Sequence, residues 1–159
     1  IDIGWYVYGY ATIYQSARNG AEAAAQLPPF HSTLDNSSKR ANDPCYQSIL
    51  NEITEDAALF PDIASSVEVS YPPVATSGGG GKGGGKAGGG SSTPGTRALG
   101  NPIQVKVRYE LQPLTPLFQL VPLTPNGVFI VEAKTVRSIE NLGNTLITEE
   151  NPRGISCIE

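Results

Sequence analysis

Apolar and small residues run almost unbroken from Ile1 to Gln26, a stretch without proline in which Asp2, Arg18 and Glu22 are the only charges. This permits one continuous helix that ends before Leu27-Pro28-Pro29, where proline removes a backbone donor and restricts the residue before it. Successive helical residues lie about 100° apart, so Trp5, Tyr6, Val7, Tyr8 and Tyr10 ring nearly the whole circumference of the first half. A helix apolar on every side is either deeply buried or surrounded by lipid. The second half, Gln15 to Gln26, is small and polar, which predicts a place at the surface of a head domain.

A polar loop is expected from His31 to Asn42, after which Asp43-Pro44 supplies an N-cap and a proline at the first helical position. The second helix then runs from Pro44 to about Leu59, with Ile49, Leu50, Ile53 and Ala57 on one face and Glu52, Glu55 and Asp56 mostly off it. From Ser66 the period changes to two. Val67, Val69 and Tyr71 alternate with Ser66, Glu68 and Ser70, and Ile103, Val105, Val107, Tyr109 and Leu111 alternate with Gln104, Lys106, Arg108 and Glu110. These two strands are suited to a hairpin. A third strand is expected over Val128 to Glu140, with a bulge near Thr135-Val136 where its parity is muddled. The fold class that follows is α+β: a long N-terminal hydrophobic helix (residues 1–26), then a head (27–159) in which an amphipathic helix packs on a small antiparallel sheet.

Two connections have unusual composition. Residues 77–95, SGGGGKGGGKAGGGSSTPG, form a glycine-rich insertion in the first hairpin, read as a solvated flexible tip, with ordering by close-packed neighbours as the alternative. The stretch Gln112 to Gly127 holds too many prolines for a central strand or an ordinary helix and predicts a structured loop with exposed apolar residues.

Composition narrows the possible partners. With 11 basic against 15 acidic residues and a formal charge of −4, the chain has no clustered cationic surface of the kind that binds nucleic acid. The absence of methionine suggests a processed chain, and processing suggests export. Cys45 and Cys157 are the only thiols, an even count that in an exported chain favours one bridge pinning the C-terminal tail to the second helix, with free or intermolecular thiols as the alternative.

The first 14 residues are shorter than the ~20 apolar residues of a bilayer crossing, and tyrosine prefers an interface to hydrocarbon. Contact with protein therefore suits this helix at least as well as lipid. Gly4, Gly9 and Ala11 allow neighbouring helices to approach closely, while a central helix wrapped by its own domain is the plainer reading.

Ile1-Asp2-Ile3-Gly4 leading through Tyr14-Gln15-Ser16-Ala17-Arg18-Asn19-Gly20-Ala21-Glu22-Ala23-Ala24 resembles the end of the membrane helix and the following segment of TadE-like pseudopilins of tight-adherence pilus systems. Val105 to Tyr109, Pro113 to Pro116, Leu123-Thr124 and Val131 to Arg137 are similar to that family's paired strands with a proline-containing connection. The full-length membrane segment and peptidase site of the family are missing, and the glycine tract lies outside its pattern. The resemblance implies a non-enzymatic subunit of an extracellular, pilus-like filament. Its partners would be copies of itself in a helical array, with other pilins and the inner membrane before assembly. Trp5, Tyr6, Val7, Tyr8, Tyr10 and Tyr14 would then carry assembly. The alternative is a membrane-anchored envelope module that binds a partner through Pro113 to Pro125 without forming the filament.

Chemistry has few candidates and no cofactor is expected. Gly80 to Ala87 approaches a phosphate-binding loop but ends in Ala87 where a hydroxyl must hold magnesium, and glycine follows where a helix must begin. The single histidine, His31, sits in the polar loop. Glu52, Glu55 and Asp56 would serve an unrecognised hydrolase, yet such carboxylates are more often the solvated face of a helix. Asn36-Ser37-Ser38 matches a glycosylation acceptor.

Overall fold

A computed structural model describes residues 2–75, 92–115, 128–142 and 157–158. The proline-free run forms α1, Asp2–Gln26, which is as long as expected but packs differently. Its buried residues are Asp2, Gly9, Ile13, Ser16, Ala17, Gly20, Ala21, Ala24 and Ala25, recurring at three and four residues along one stripe. The small second half, expected at the surface, is thus the more deeply buried half. The expectation of a long hydrophobic helix also needs correction, because no helix among the described residues is long and apolar enough to cross a membrane. The physical reason is composition: apart from Asp2 and Ile13 the stripe facing inward is glycine, alanine and serine, and the residues between carry Arg18, Asn19 and Glu22.

The polar loop after α1 holds two short helices, α2 (His31–Leu34) and α3 (Ser37–Asn42). Asn36 caps α3 by accepting hydrogen bonds from the Ser38 and Lys39 amides at 2.9 and 3.3 Å. Helix α4, Pro44–Asp56, begins as expected, with the Asp43 carboxylate accepting from the Cys45 and Tyr46 amides and Pro44 in the first turn. It directs Cys45, Tyr46, Ile49 and Ile53 inward. A 3-10 turn (Ile63–Ser66) leads to β1 (Val67–Ser70), followed by β2 (Val74–Ala75), β3 (Ser92–Thr93), β4 (Pro102–Leu111) and β5 (Phe129–Ser138).

Among the described strands, β1, β4 and β5 form one antiparallel sheet in that order, and β2 and β3 form a separate pair. The β1–β4 hairpin is the one the alternation predicts. Pairing of β4 with β5 runs without interruption from Pro102↔Ser138 to Leu111↔Phe129, so the bulge expected near Thr135-Val136 is absent. Parity there is muddled for another reason: Thr135 and Arg137 face the helix layer as half-buried polar residues, while apolar Val136 points to solvent. Helices α1 and α4 cover one face of the sheet. Ile13, Ala17 and Ala21 join Ile49, Ile53, Val105, Val107 and Val131 in one hydrophobic cluster.

Residues 76–91, most of the glycine-rich tract, and 116–127, most of the proline-rich connection, lie outside the described residues. The described end of the tract contains a site that requires glycine. A Cβ on Gly95 would strike the carbonyl oxygens of Tyr71 and Pro72, which are backbone and cannot move aside.

The C-terminus is held by the Cys45–Cys157 disulfide, with the two Cα atoms 5.2 Å apart. Beside it the buried Asp43 carboxylate also accepts from the Ile158 amide at 3.0 Å, and the Thr33 hydroxyl donates to the Ile158 carbonyl at 2.9 Å. Arg97 fills a neighbouring gap. Its Nε donates to the Pro28 carbonyl at 2.7 Å, another guanidinium nitrogen donates to the Leu142 carbonyl, and the ring of Phe30 lies 4.0 Å beneath. The Tyr71 hydroxyl donates to the Pro29 carbonyl; burial pushes its pKa far up, Arg97 lowers it and Asp43 raises it. The proline pair after α1, which lacks its own amide donors, thus has both carbonyls satisfied by side chains from the sheet side.

Glycine spacing along α1 generates a test. A Cβ at Gly20 would lie 2.5 and 2.6 Å from Cγ1 and Cδ1 of buried Ile53, whereas one at Gly9 would lie 2.7 and 2.9 Å from the terminal methyls of Leu111, also buried, and 3.4 Å from its Cγ. Gly20→Val should destabilise the domain by about 1–3 kcal/mol through overpacking. Gly9→Ala should be near neutral, because a gain in helix propensity of roughly 1 kcal/mol offsets the shift of Leu111. Urea titration of both variants, compared at equal m-value, measures the difference.

Candidate assembly surface

The side of α1 turned away from the core carries Ile3 and Val7, the two most exposed large apolar residues among those described, while Leu59, Leu99 and Leu114 are exposed singly elsewhere. Ile3, Val7, Tyr10 and Tyr14 follow one another at intervals of four, three and four, forming a single stripe. Their exposures are 69, 64, 57 and 50%, and the Tyr10 and Tyr14 rings stack with centroids 6.3 Å apart. Ala11 is exposed beside them, and a Cβ on Gly4 would meet nothing within 4 Å. The stripe is therefore open to approach by another helix.

The six residues expected to carry assembly divide between the two sides. Val7, Tyr10 and Tyr14 lie in the stripe. Trp5 turns inward, donating its indole N–H to the Gln112 carbonyl at 3.1 Å with its ring 5.5 Å from Phe60. Tyr6 packs on Phe129 with centroids 4.5 Å apart. Tyr8, half-exposed on the opposite flank, stacks at 6.1 Å on Trp5 and 6.3 Å on Phe60. Ile3 was not singled out from the sequence, although its four-residue spacing from Val7 was available as a signal.

Asp2 fixes the start of this helix. Its carboxylate accepts from the amides of Leu114 and Thr115 at 2.8 and 3.0 Å and from the Thr115 hydroxyl, tying the chain after β4 to the first turn of α1. The Thr115 hydroxyl chiefly, and then the two amides, hold the Asp2 pKa below the ordinary carboxylate value against the opposing effect of desolvation. A negative group here also complements the helix dipole. Nearby, burial raises the pKa of Tyr6, with the Asp2 charge adding to it.

Between α1 and β5 lies an apolar groove of about 480 Å³, lined by Tyr6, Val7, Tyr10, Leu111, Phe129 and Ile130 among others. Other concavities among the described residues are more polar. One of 390 Å³ holds His31, Asp35, Arg40 and Glu68, with the His31 ring 4.6 Å from Tyr71. Another of 390 Å³ brings Glu52 near Glu22 and Asn19 without Glu55. Among the described residues no three His, Cys, Asp or Glu side chains converge as a metal site. Asn36 is exposed, with its side-chain oxygen engaged in the α3 cap.

Set against family models, curated proteins and solved structures, the chain matches none of them. The likeness to TadE-like pseudopilins thus rests on short motifs. In the longest of these, Tyr14 to Ala24, the small residues Ala17, Gly20, Ala21 and Ala24 are those α1 buries.

The Asp2 contacts predict a pH response. A carboxyl whose pKa is lower folded than unfolded stabilises the fold above its unfolded value, ~3.9, and loses that contribution as pH falls through the folded value. The fluorescence of Trp5, the only tryptophan, should change as the 112–115 segment is released in this acid range. In Asp2→Asn that step should be missing, and the emission should be displaced already at neutral pH.

Proposed function

We propose that the protein is a non-enzymatic structural subunit that assembles with copies of itself through the outward stripe of α1, in a pilus-like filament at the cell surface. One observation carries this reading: Ile3, Val7, Tyr10 and Tyr14 are at least half exposed on a helix whose opposite face, from Gly9 to Ala25, packs into the core. Burying a large apolar side chain is worth roughly 1.5–3 kcal/mol. At exposures of 69, 64, 57 and 50% the four residues have only part of that left to gain, a gross total on the order of 4–7 kcal/mol, against association costs of about 4–15 kcal/mol. The stripe alone suits weak, repeated contacts, and many copies in an array raise the gain per subunit.

The Cys45–Cys157 disulfide agrees with an oxidising, extracytoplasmic compartment. The TadE-like likeness supplies the filament as the kind of assembly, with other pilins as neighbours and the inner membrane as a surface met beforehand. Contact of the stripe with protein is preferred to a bilayer crossing, since the apolar stripe covers one side of α1 only.

The variant Ile3→Asp/Val7→Lys tests this without loss of helix, because the new charges form a favourable pair four residues apart. Negative-stain microscopy and light scattering should show long assemblies for the native protein and none for the variant, with unchanged thermal melting. A native protein that stays monomeric at its highest soluble concentration overturns the proposal.

A further inference from the structure

We propose that two copies join edge to edge along β5, antiparallel, about a twofold axis through Ala133, so that two three-stranded sheets become one of six strands. The inference rests on the reading that copies of the chain associate, and it names one contact by which they do so.

Strand β5 is ten residues long and, among the described strands, pairs only with β4. Long sheet edges are usually blunted by proline, a bulge or brevity. Strand β1, at the other edge, is four residues long. β5 contains no proline and its register with β4 is unbroken, so its edge is guarded by charge alone: Glu132 and Lys134 on the exposed face and Arg137 on the inward one.

Its side chains on the helix-free face are Ile130, Glu132, Lys134 and Val136, all exposed. This row of apolar, acidic, basic and apolar residues is its own complement when reversed. With Ala133 opposite the partner's Ala133, Ile130 lies beside the partner's Val136 and Glu132 beside the partner's Lys134, each pair occurring twice. Shifting the axis to residue 132 or 134 sets carboxylate against carboxylate or ammonium against ammonium. Like charges directly opposite are destabilising, so the row also selects the register.

A lysine with no ion pair among the described residues agrees with this. Lys134 stands directly across from Lys106, whose ammonium reaches Glu132 at 3.3 Å. Lys134 has no ion pair among the described residues. The partner's Glu132 supplies the missing carboxylate.

The same axis aligns the helices. Tyr6 of α1 meets Phe129, and Glu22 meets Arg137 at 2.7 Å, so α1 runs along β5 with Tyr14 midway over Ala133. Because α1 covers β4 and β5, the two helices would lie about two strand spacings apart, roughly 10 Å, the separation of packed helices. Tyr14 then faces its own symmetry mate, and Tyr10 faces the partner's Arg18, a cation–π geometry. Val7 borders this contact in the groove beside Ile130, whereas Ile3, near the start of α1, stays outside it and remains available for further assembly.

Sedimentation velocity on the full chain carrying Ile3→Asp alone, which leaves Val7 and the groove beside β5 intact, separates this contact from the larger assembly. That protein should sediment as a dimer. Adding Lys134→Glu should raise the dimer Kd by about tenfold or more. Adding Glu132→Lys together with Lys134→Glu should restore dimerisation, even though the Lys106–Glu132 contact is lost in it. If the Ile3→Asp protein is a monomer while the native protein still assembles, the β5 pairing is overturned and the α1 reading stands. A dimer indifferent to Lys134→Glu also overturns the pairing, and a native monomer overturns both proposals.

Discussion

The distance between α1 and the layers around it is set by glycine and alanine. Gly20 and Ala17 let the helix settle onto Ile53 of α4 and Val105 of β4, and Gly9 admits Leu111. A helix held this close buries little side chain of its own but covers much of its neighbours, whose Ile, Val and Leu residues provide the apolar area. The large aromatic residues of α1 are consequently pushed to the flanks. On one flank Trp5 and Tyr8 meet Phe60; on the other, Tyr10 and Tyr14 meet no larger layer and stay exposed. The candidate surface is thus a by-product of how tightly the opposite face is packed.

Polar contacts hold the ends of this arrangement. Asp2 ties the first turn of α1 to the segment after β4, and the carbonyls of Pro28 and Pro29 after its last turn are taken by Arg97 and Tyr71. Asp43 combines a helix cap with a grip on Ile158, next to the disulfide. With both ends fixed, the outward stripe is a rigid surface, which lowers the entropy lost when another copy binds.

Local signals in the sequence reached far where one principle decided the outcome. Asp43-Pro44 marked the start of α4, and strict alternation gave β1, β4 and most of β5, because each depends on neighbours in the chain. The side of α1 that is buried was not legible in the same way. Hydrophobicity pointed to the aromatic first half, but the deciding factor was small size at Gly20, Ala21 and Ala24, which matters only once Ile53 is seen opposite. Asn36 was noticed as a modification motif, although its role as the cap of α3 was equally available from the residue type. The self-complementary row on β5 is written in the chain, but it has no meaning until the strand is seen to pair, among the described strands, with β4 alone.

Hydroxyl-radical footprinting of the native protein, read by mass spectrometry for individual tyrosines in dilute and in assembled samples, tests the account most directly. Tyr10 and Tyr14 should be reactive when dilute and strongly protected on assembly, while Tyr46 and Tyr71 stay unreactive in both. Equal reactivity of Tyr10 and Tyr14 in the two samples would contradict the claim that the outward side of α1 is where copies meet.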